Sequence, residues 1–275
     1  MDDEDAPVGW FAGLDPDDTE AAATAIRDGE AAGSREWPSA AVAAGFADSE
    51  RDYYDRLHDA TTEAARAAVR EREQADDQQV IHAVRALDDC RRVGNELAER
   101  VDEWAGSLDA GDIEELADEE PTGPMSVRLH SLAARVLDLR EETQSLQAVV
   151  ESTAQSVAPN LSALAGPELA ARLIALAGGL DALAKKPAGT VQVLGAEDAL
   201  FAHLRGGAPS PKHGVIYTHE YVRGTDPDER GSAARALAGK LAIAARVDHY
   251  SGDYRPELEA ELDDRIERIR ARGDS

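Results

Sequence analysis

The sequence predicts a mainly α-helical protein, with a small N-terminal α/β or irregular domain, a long antiparallel coiled-coil hairpin and an all-helical third module. Three observations predict this class. The chain is Ala-rich with only 4% aromatic residues, which favours helix on intrinsic propensity. Apolar residues recur every three or four positions along two long segments on either side of an acidic link. Hydrophobic residues make up 43% of the 275 positions, enough for real cores despite a formal net charge of −26.

Residues 1–50 are rich in Gly, Ala and Asp, with Trp10, Phe11, Trp37 and Phe46 as scattered apolar anchors, and read as a small irregular domain. From Tyr53 to Arg72, the residues Tyr54, Leu57, Thr61, Ala64 and Ala68 recur at helical spacing, which predicts a linker helix within 51–78. A coiled-coil arm follows over 79–154. Its first helix is marked by Val84, Leu87, Cys90, Gly94, Leu97, Val101 and Trp104. Its second is marked by Leu129, Leu132, Val136, Leu139, Thr143, Leu146 and Val150, in the 3-4 alternation of a coiled-coil seam. Between them, residues 105–124 are punctuated by Gly and Pro and are expected to be an acidic loop. The two helices fold back as an antiparallel hairpin. A lone hairpin buries little, so a homodimer is expected, paired through Val84, Leu87, Leu97, Val101, Trp104, Leu132, Val136, Leu139 and Leu146. A hairpin packed only within its own chain is the alternative.

After Pro159 the texture changes, and residues 155–250 read as a separate helical module. Gly166, Gly178 and Gly179 are expected where helices approach closely. The stretch "AEDALFAHL" reads as a short helix with Glu197 and Asp198 in its first turn, favourable to the helix dipole. A loop with an extended piece at Val215 to Tyr217 precedes a helix over "SAARALAGKLAIAARV", capped by Ser232. Residues 251–275 predict a final acidic helix with Leu258, Leu262, Ile266 and Ile269 on one face. Its i,i+4 charge pairs are Glu261–Arg265 and Asp264–Arg268.

The charge balance is 29 basic against 55 acidic residues, and only four of the basic ones are lysines: Lys185, Lys186, Lys212 and Lys240. Such acidity with so little lysine is expected of a haloarchaeal, high-salt cytoplasm. At about 1 M salt the Debye length is only about 3 Å, so the mutual repulsion is screened. Residues 161–250 hold 10 basic and 9 acidic residues, whereas the remainder holds 19 and 46. One near-neutral module inside a strongly acidic chain suits a partner that the rest of the surface would repel, nucleic acid above all, or a surface covered by protein. Cys90 is the sole cysteine, which excludes an internal disulfide and a cysteine-based metal site. No run reaches the roughly 18 apolar residues needed to span a bilayer, and the N-terminus lacks a secretory apolar region, so a soluble intracellular protein is expected.

No catalytic motif is present: there is no Walker A loop, no GxSxG and no HExxH. His213, His219 and Glu220 lack the register of a metal site. Gly178-Gly179 interrupts an apolar helix rather than following a strand, which argues against a phosphate loop. What remains is a set of cations, Lys185, Lys186, Arg205, Lys212, Arg230, Arg235 and Lys240, interleaved with the planar groups of His203, His213, Tyr217, His219 and Tyr221. Phosphates need cations, and unstacked bases need planar groups to lie on. Lys185 and Lys186, just before Pro187, equally suit a solvated helix C-terminus.

The strings "APNLSALAGPELAARLIALAGGLDALAKKPAGTVQVLGAEDALF", "SPKHGVIYTHEYV" and "RGSAARALAGKLAIAARVDHY" resemble the Nop domain of the archaeal scaffold protein of box C/D small ribonucleoproteins. Upstream, "DYYDRLHDATTEAARAAV" and "ALDDCRRVGNELAERVDEWAG" are similar to that family's linker helix and coiled-coil arm, so the likeness covers roughly residues 50–250. The resemblance implies a non-enzymatic scaffold. It implies a kink-turn guide RNA and a small ribosomal-type kink-turn protein at the Nop domain, with Gln192 and Glu197 joining the candidate RNA contacts. It also implies two copies paired through the coiled coil. Fibrillarin, the S-adenosylmethionine-dependent methyltransferase, would sit on the N-terminal domain through Trp10, Phe11, Trp37 and Phe46. The assembly directs 2′-O-methylation of rRNA or tRNA, with no cofactor or metal held by this chain. The family's Gly-Ala-Glu-Lys and Ala-Leu-Phe-Arg read here as Gly195-Ala196-Glu197-Asp198 and Ala199-Leu200-Phe201-Ala202. Phosphate contacts at Asp198 and Ala202 are therefore not carried over. The N-terminal domain is compressed, and an acidic helix replaces the family's Lys-rich tail. An acidic coiled-coil adaptor that binds protein alone is the alternative, and RNase sensitivity of the native complex separates the two.

Overall fold

A computed structural model describes residues 9–29, 36–118, 120–207 and 209–273. The acidic first eight residues, read above as carrying no secretory region, lie outside them. The chain divides into two compact units, Met1–Ala75 and Asp76–Ser275.

The first unit contains α1 (Thr19–Asp28), α2 (Trp37–Ala43) and α3 (Glu50–Gln74). Asp18 and Ser49 start α1 and α3 by accepting the backbone N–H groups of Ala21 and Asp52. No strand occurs among the described residues, so the α/β option does not hold there. Instead, aromatic side chains supply the core. Phe11 and Phe46 are buried and stack with ring centroids 5.6 Å apart. Half-buried Trp10 donates its indole N–H to the Tyr53 hydroxyl at 3.2 Å, and Trp37 packs edge-on against Phe11. Phe11 and Phe46, expected to contact fibrillarin, are thus interior and hold the unit together. Tyr53, Ala60 and Ala64 form the buried face of α3, while Tyr54 is exposed. The face is turned one residue from expectation because Tyr53 completes the aromatic cluster.

The second unit begins with α4 (Asp76–Ser107), then α5 (Ile113–Asp118) and α6 (Pro124–Val157). The antiparallel register is clear from who meets whom. At one end Val80, Val84 and Leu87 pack with Val150 and Ala154, with Leu146 beside them. At the other, Val101 and Ala105 pack with Leu129, Ala133 and Val136, flanked by Leu97, Trp104 and Leu132. Midway, Gly94 lets α6 approach: a Cβ there would lie 3.6 Å from Leu139. The seam residues expected to pair two copies are therefore spent within one chain, because the two helices already close on each other. Any pairing of copies has to use the outward faces.

The stretch 105–124, expected to be an acidic loop, contains helix. α4 runs on to Ser107, and α5 closes the tip with Ile113 and Leu116 buried. Asp112 and Glu115 cap α5 reciprocally: Glu115 N–H donates to Asp112 Oδ1 at 2.9 Å and Asp112 N–H to Glu115 Oε2 at 3.3 Å.

The remaining helices are α7 (Pro159–Ala165), α8 (Pro167–Ala177), α9 (Leu180–Ala184), α10 (Ala188–Val193), α11 (Glu197–Leu204), α12 (Glu220–Arg223), α13 (Arg230–Tyr250) and α14 (Glu257–Gly273). α7, α9, α10, α12 and α14 pack around α13, whose Ala233, Ala234, Leu237, Ala238, Leu241 and Ala242 are buried. Small alanines on this axis let several helices approach it. Asp248, itself buried, starts α7 by accepting the N–H groups of Asn160 (3.0 Å) and Leu161 (2.8 Å). Arg91 of α4 donates to Glu168 of α8 at 2.6 Å and to Gln147 of α6 at 3.0 Å, and Arg172 bridges Glu168 to Asp88, so α8 is riveted to the hairpin.

Three local expectations change here. Val215–Thr218 forms a 3-10 turn rather than an extended piece. α13 begins at Arg230, so Ser232 lies inside its first turn instead of capping it. Gly178 is required for its left-handed backbone (φ 89°), which closes α8 with Gly179 N–H bonded to the Ile174 carbonyl at 2.9 Å. Close packing is not its reason, since a Cβ at Gly166 or Gly178 would meet nothing within 4 Å. As expected, Leu258, Leu262, Ile266 and Ile269 are the buried face of α14. No described helix is long and apolar enough to cross a membrane.

Candidate nucleic-acid interface

The segment after α10 doubles back beside it. Gly214 N–H donates to the Gln192 carbonyl at 2.8 Å, Val215 N–H to the Leu194 carbonyl at 2.7 Å, and the Gln192 side chain donates to the Lys212 carbonyl at 2.7 Å. Only glycine fits at 214, because a Cβ would lie 1.9 Å from the Leu194 oxygen. This close pairing sets Lys212 and His213 on the surface beside α10.

His213 stacks on Tyr217, with centroids 4.6 Å apart and planes at 22°. The Arg230 guanidinium lies over the Tyr217 ring, 5.8 Å from its centroid, in a cation–π contact. Arg230 is tethered there by its Nε–H, which donates to the Thr225 carbonyl at 3.0 Å. Partial burial holds the His213 pKa below the usual 6.5, helped by the charges of Arg230 and Lys212. A neutral imidazole, a phenol and a guanidinium thus lie in one layered group. Next to it is a cavity of about 460 Å³, whose wall includes Gly189, Gln192, Lys212, Asp228, Ser232 and Arg235. The structure therefore brings together Gln192, Lys212, His213, Tyr217, Arg230 and Arg235.

Other expected residues lie differently. Lys185 is exposed at the end of α9, and its ammonium is 2.6 Å from Asp181, whose hydrogen bond raises the lysine pKa. Arg246 donates to the Lys186 carbonyl at 3.1 Å, fixing the turn that enters α10. Glu197 is exposed and accepts the N–H of Gly195 at 2.8 Å, which shapes the loop that enters α11. His203 and Arg205 sit on and just after α11.

Two candidates have structural jobs. His219 Nδ1 accepts the Tyr221 N–H at 3.1 Å and caps α12. Burial holds its pKa below 6.5, against a hydrogen bond with the Leu164 backbone. Lys240 forms an ion pair with Glu261 of α14. Sequence reasoning does not single out Phe201 and Leu204 on α11, yet both are exposed and the helix buries none of its residues. The available signal is an apolar face on a helix too short to need one for folding.

The described residues of the second unit thus form a helical hairpin that carries a helical module with a cation–aromatic face. The family model described as Nop, "snoRNA binding domain, fibrillarin", matches residues 117–269, and the chain belongs to this family. It is 36% identical over 270 residues to an uncharacterized NOP5 family protein of Methanocaldococcus jannaschii, covering 82% of this chain and 65% of that protein. Over 125 residues it is 44% identical to human nucleolar protein 56, covering 46% of this chain and 21% of that protein. The chain thus spans less than two thirds of the length of these curated relatives. Its fold is similar to that in the crystal structure of a fibrillarin/Nop5p complex, with a TM-score of 0.55 and 25% identity, covering 94% of this chain and 93% of that one.

Proposed function

We propose that the chain is a non-catalytic scaffold of a box C/D guide ribonucleoprotein. It holds a kink-turn RNA and a small kink-turn-binding protein on its Nop module, and it bridges them to fibrillarin, which methylates rRNA or tRNA at the 2′-O position. The observation that carries this reading is the layered His213–Tyr217–Arg230 group beside Lys212 and Arg235, on the near-neutral module of a chain with net charge −26. Planar groups serve unstacked bases, and the cations serve phosphates. Exposed Phe201 and Leu204 support a protein neighbour beside the RNA. The likeness over most of the chain to a protein solved in complex with fibrillarin supports fibrillarin as the catalytic partner.

Two copies would meet on the outward hairpin faces, where Val93, Leu108, Met125 and Val149 are exposed. The acidity fits a high-salt archaeal cytoplasm. Affinity there rests on shape, stacking and hydrogen bonds, because log K falls with log salt for each phosphate neutralised. A mobility-shift assay in molar KCl, with a kink-turn guide RNA and its kink-turn protein, is expected to give a ternary complex. The Lys186→Glu plus Lys212→Glu variant is expected to weaken it. Absence of the complex with the unaltered chain would overturn the reading.

A further inference from the structure

The arginines of α14 do not make the ion pairs that their spacing offers. Glu261 is drawn across to Lys240 of α13, and Arg268 Nε donates to the Asp264 main-chain carbonyl at 2.9 Å. Among the described residues, Arg265 forms no ion pair with Glu261, and neither Arg265 nor Arg235 has a hydrogen-bonded or ion-paired partner. Several arginines elsewhere in the second unit behave differently. Arg91, Arg92, Arg100, Arg135, Arg140 and Arg172 all rest on carboxylates.

Exposed Arg235, Arg265 and Arg268 share a groove of about 500 Å³ between α13 and α14. Its α13 side includes Ala236 and Gly239, where no atom stands within 4 Å of a notional Gly239 Cβ, so the helix backbone is open to close approach. The groove carries four cations, Lys240 included, against the two carboxylates of Glu261 and Asp264. Ile243 is its one large apolar side chain, and no aromatic anchor lines it. That composition suits a sugar–phosphate backbone better than a protein surface, since specific protein contacts centre on buried aromatic or aliphatic anchors. Arg235 also lines the cavity with Gln192 and Lys212, so the groove continues directly from the candidate interface.

We propose that RNA leaving the kink-turn site runs across the α13–α14 groove, where Arg235, Arg265 and Arg268 take its backbone phosphates. The inference rests on the RNA-binding reading of the Nop module, and it adds the last helix to that surface. The two carboxylates narrow the track to the line of the arginines, and Lys240 screens Glu261.

The test uses the full chain with its kink-turn protein, and two RNAs: a bare kink turn, and the same kink turn extended along one flank. The Arg265→Gln plus Arg268→Gln variant is compared with the unaltered chain over a KCl series. For the extended RNA, the slope of log K against log salt is expected to fall by about 1.4–1.8, at roughly 0.7–0.9 for each phosphate no longer neutralised. The bare kink turn should bind as before, Arg265→Lys plus Arg268→Lys should restore the slope, and the thermal unfolding midpoint should not move. A thiouridine in the extension should crosslink to α14 in the unaltered chain. Identical slopes for variant and unaltered chain on the extended RNA, or crosslinks confined to the kink-turn protein, would overturn the groove and leave the scaffold reading intact. Equal losses on both RNAs would also overturn it. If the unaltered chain binds neither RNA, both readings fall.

Discussion

At Gly214 the chain has no room for a side chain, because the backbone of Leu194 occupies the place of a Cβ. Gly214→Ala should destabilise the second unit by about 1–3 kcal/mol, in the range of overpacked sites, and denaturant unfolding will measure it. His219 carries a pH prediction. Its pKa lies below 6.5 in the folded chain, mainly from burial, with Glu220 raising it and Arg270 lowering it. The unfolded chain therefore binds the proton more readily. Stability that is full above pH 6.5 should be lost as pH falls from 6.5 toward the folded value. His219→Asn keeps an acceptor for the Tyr221 N–H and should flatten that part of the pH profile in thermal unfolding.

His213 and His219 look alike in the sequence, each in a polar loop two to four residues from a tyrosine. Only the packing separates them. One ring stacks on Tyr217 at the surface, and the other is turned inward to cap α12. Lys240 misleads for the same reason, since its partner Glu261 is 21 residues away. A long-range partner leaves no local trace.

At the scale of elements, the long helices are legible because their apolar spacing persists over several turns. Short ones are not. α5 is hidden in an acidic stretch, although Asp112-Ile113-Glu114-Glu115 carries a capping-box pattern. Asp112→Ala should cost about 1 kcal/mol locally, the usual cost of removing an N-cap, and speed amide hydrogen exchange over Ile113–Asp118. Unchanged exchange there would mean that Ile113 and Leu116 alone hold the tip. A second device is the Arg91–Glu168–Arg172 cluster. The Arg91 hydrogen bond is the main cause of a Glu168 pKa below its usual 4.5, reinforced by Arg172. Its contribution is present above pH 4.5 and lost as pH falls through the lower folded value. Glu168→Gln should remove that acid dependence and raise exchange in α8.

For the whole molecule, composition is the clearest guide. A net charge of −26 with ten basic and nine acidic residues in the window 161–250 singles out the module that carries the layered cation–aromatic group. The unfolding midpoint should rise steeply between low and molar KCl, as screening relieves repulsion among the 46 acidic residues outside that window. A midpoint indifferent to KCl would contradict the salt-adapted reading. What composition does not convey is closure of the hairpin seam within one chain. Heptad spacing is the same whether the partner helix comes from the same chain or another.

The most direct test of the central claim is crosslinking of the full chain to a kink-turn guide RNA in molar KCl, with the crosslinked peptides identified by mass spectrometry. Crosslinks are expected at Lys212, His213 and Tyr217, and are expected to be lost in a Tyr217→Ala chain that still unfolds at the same temperature. Crosslinks confined to the hairpin or the N-terminal unit, with none on the 210–235 face, would contradict it.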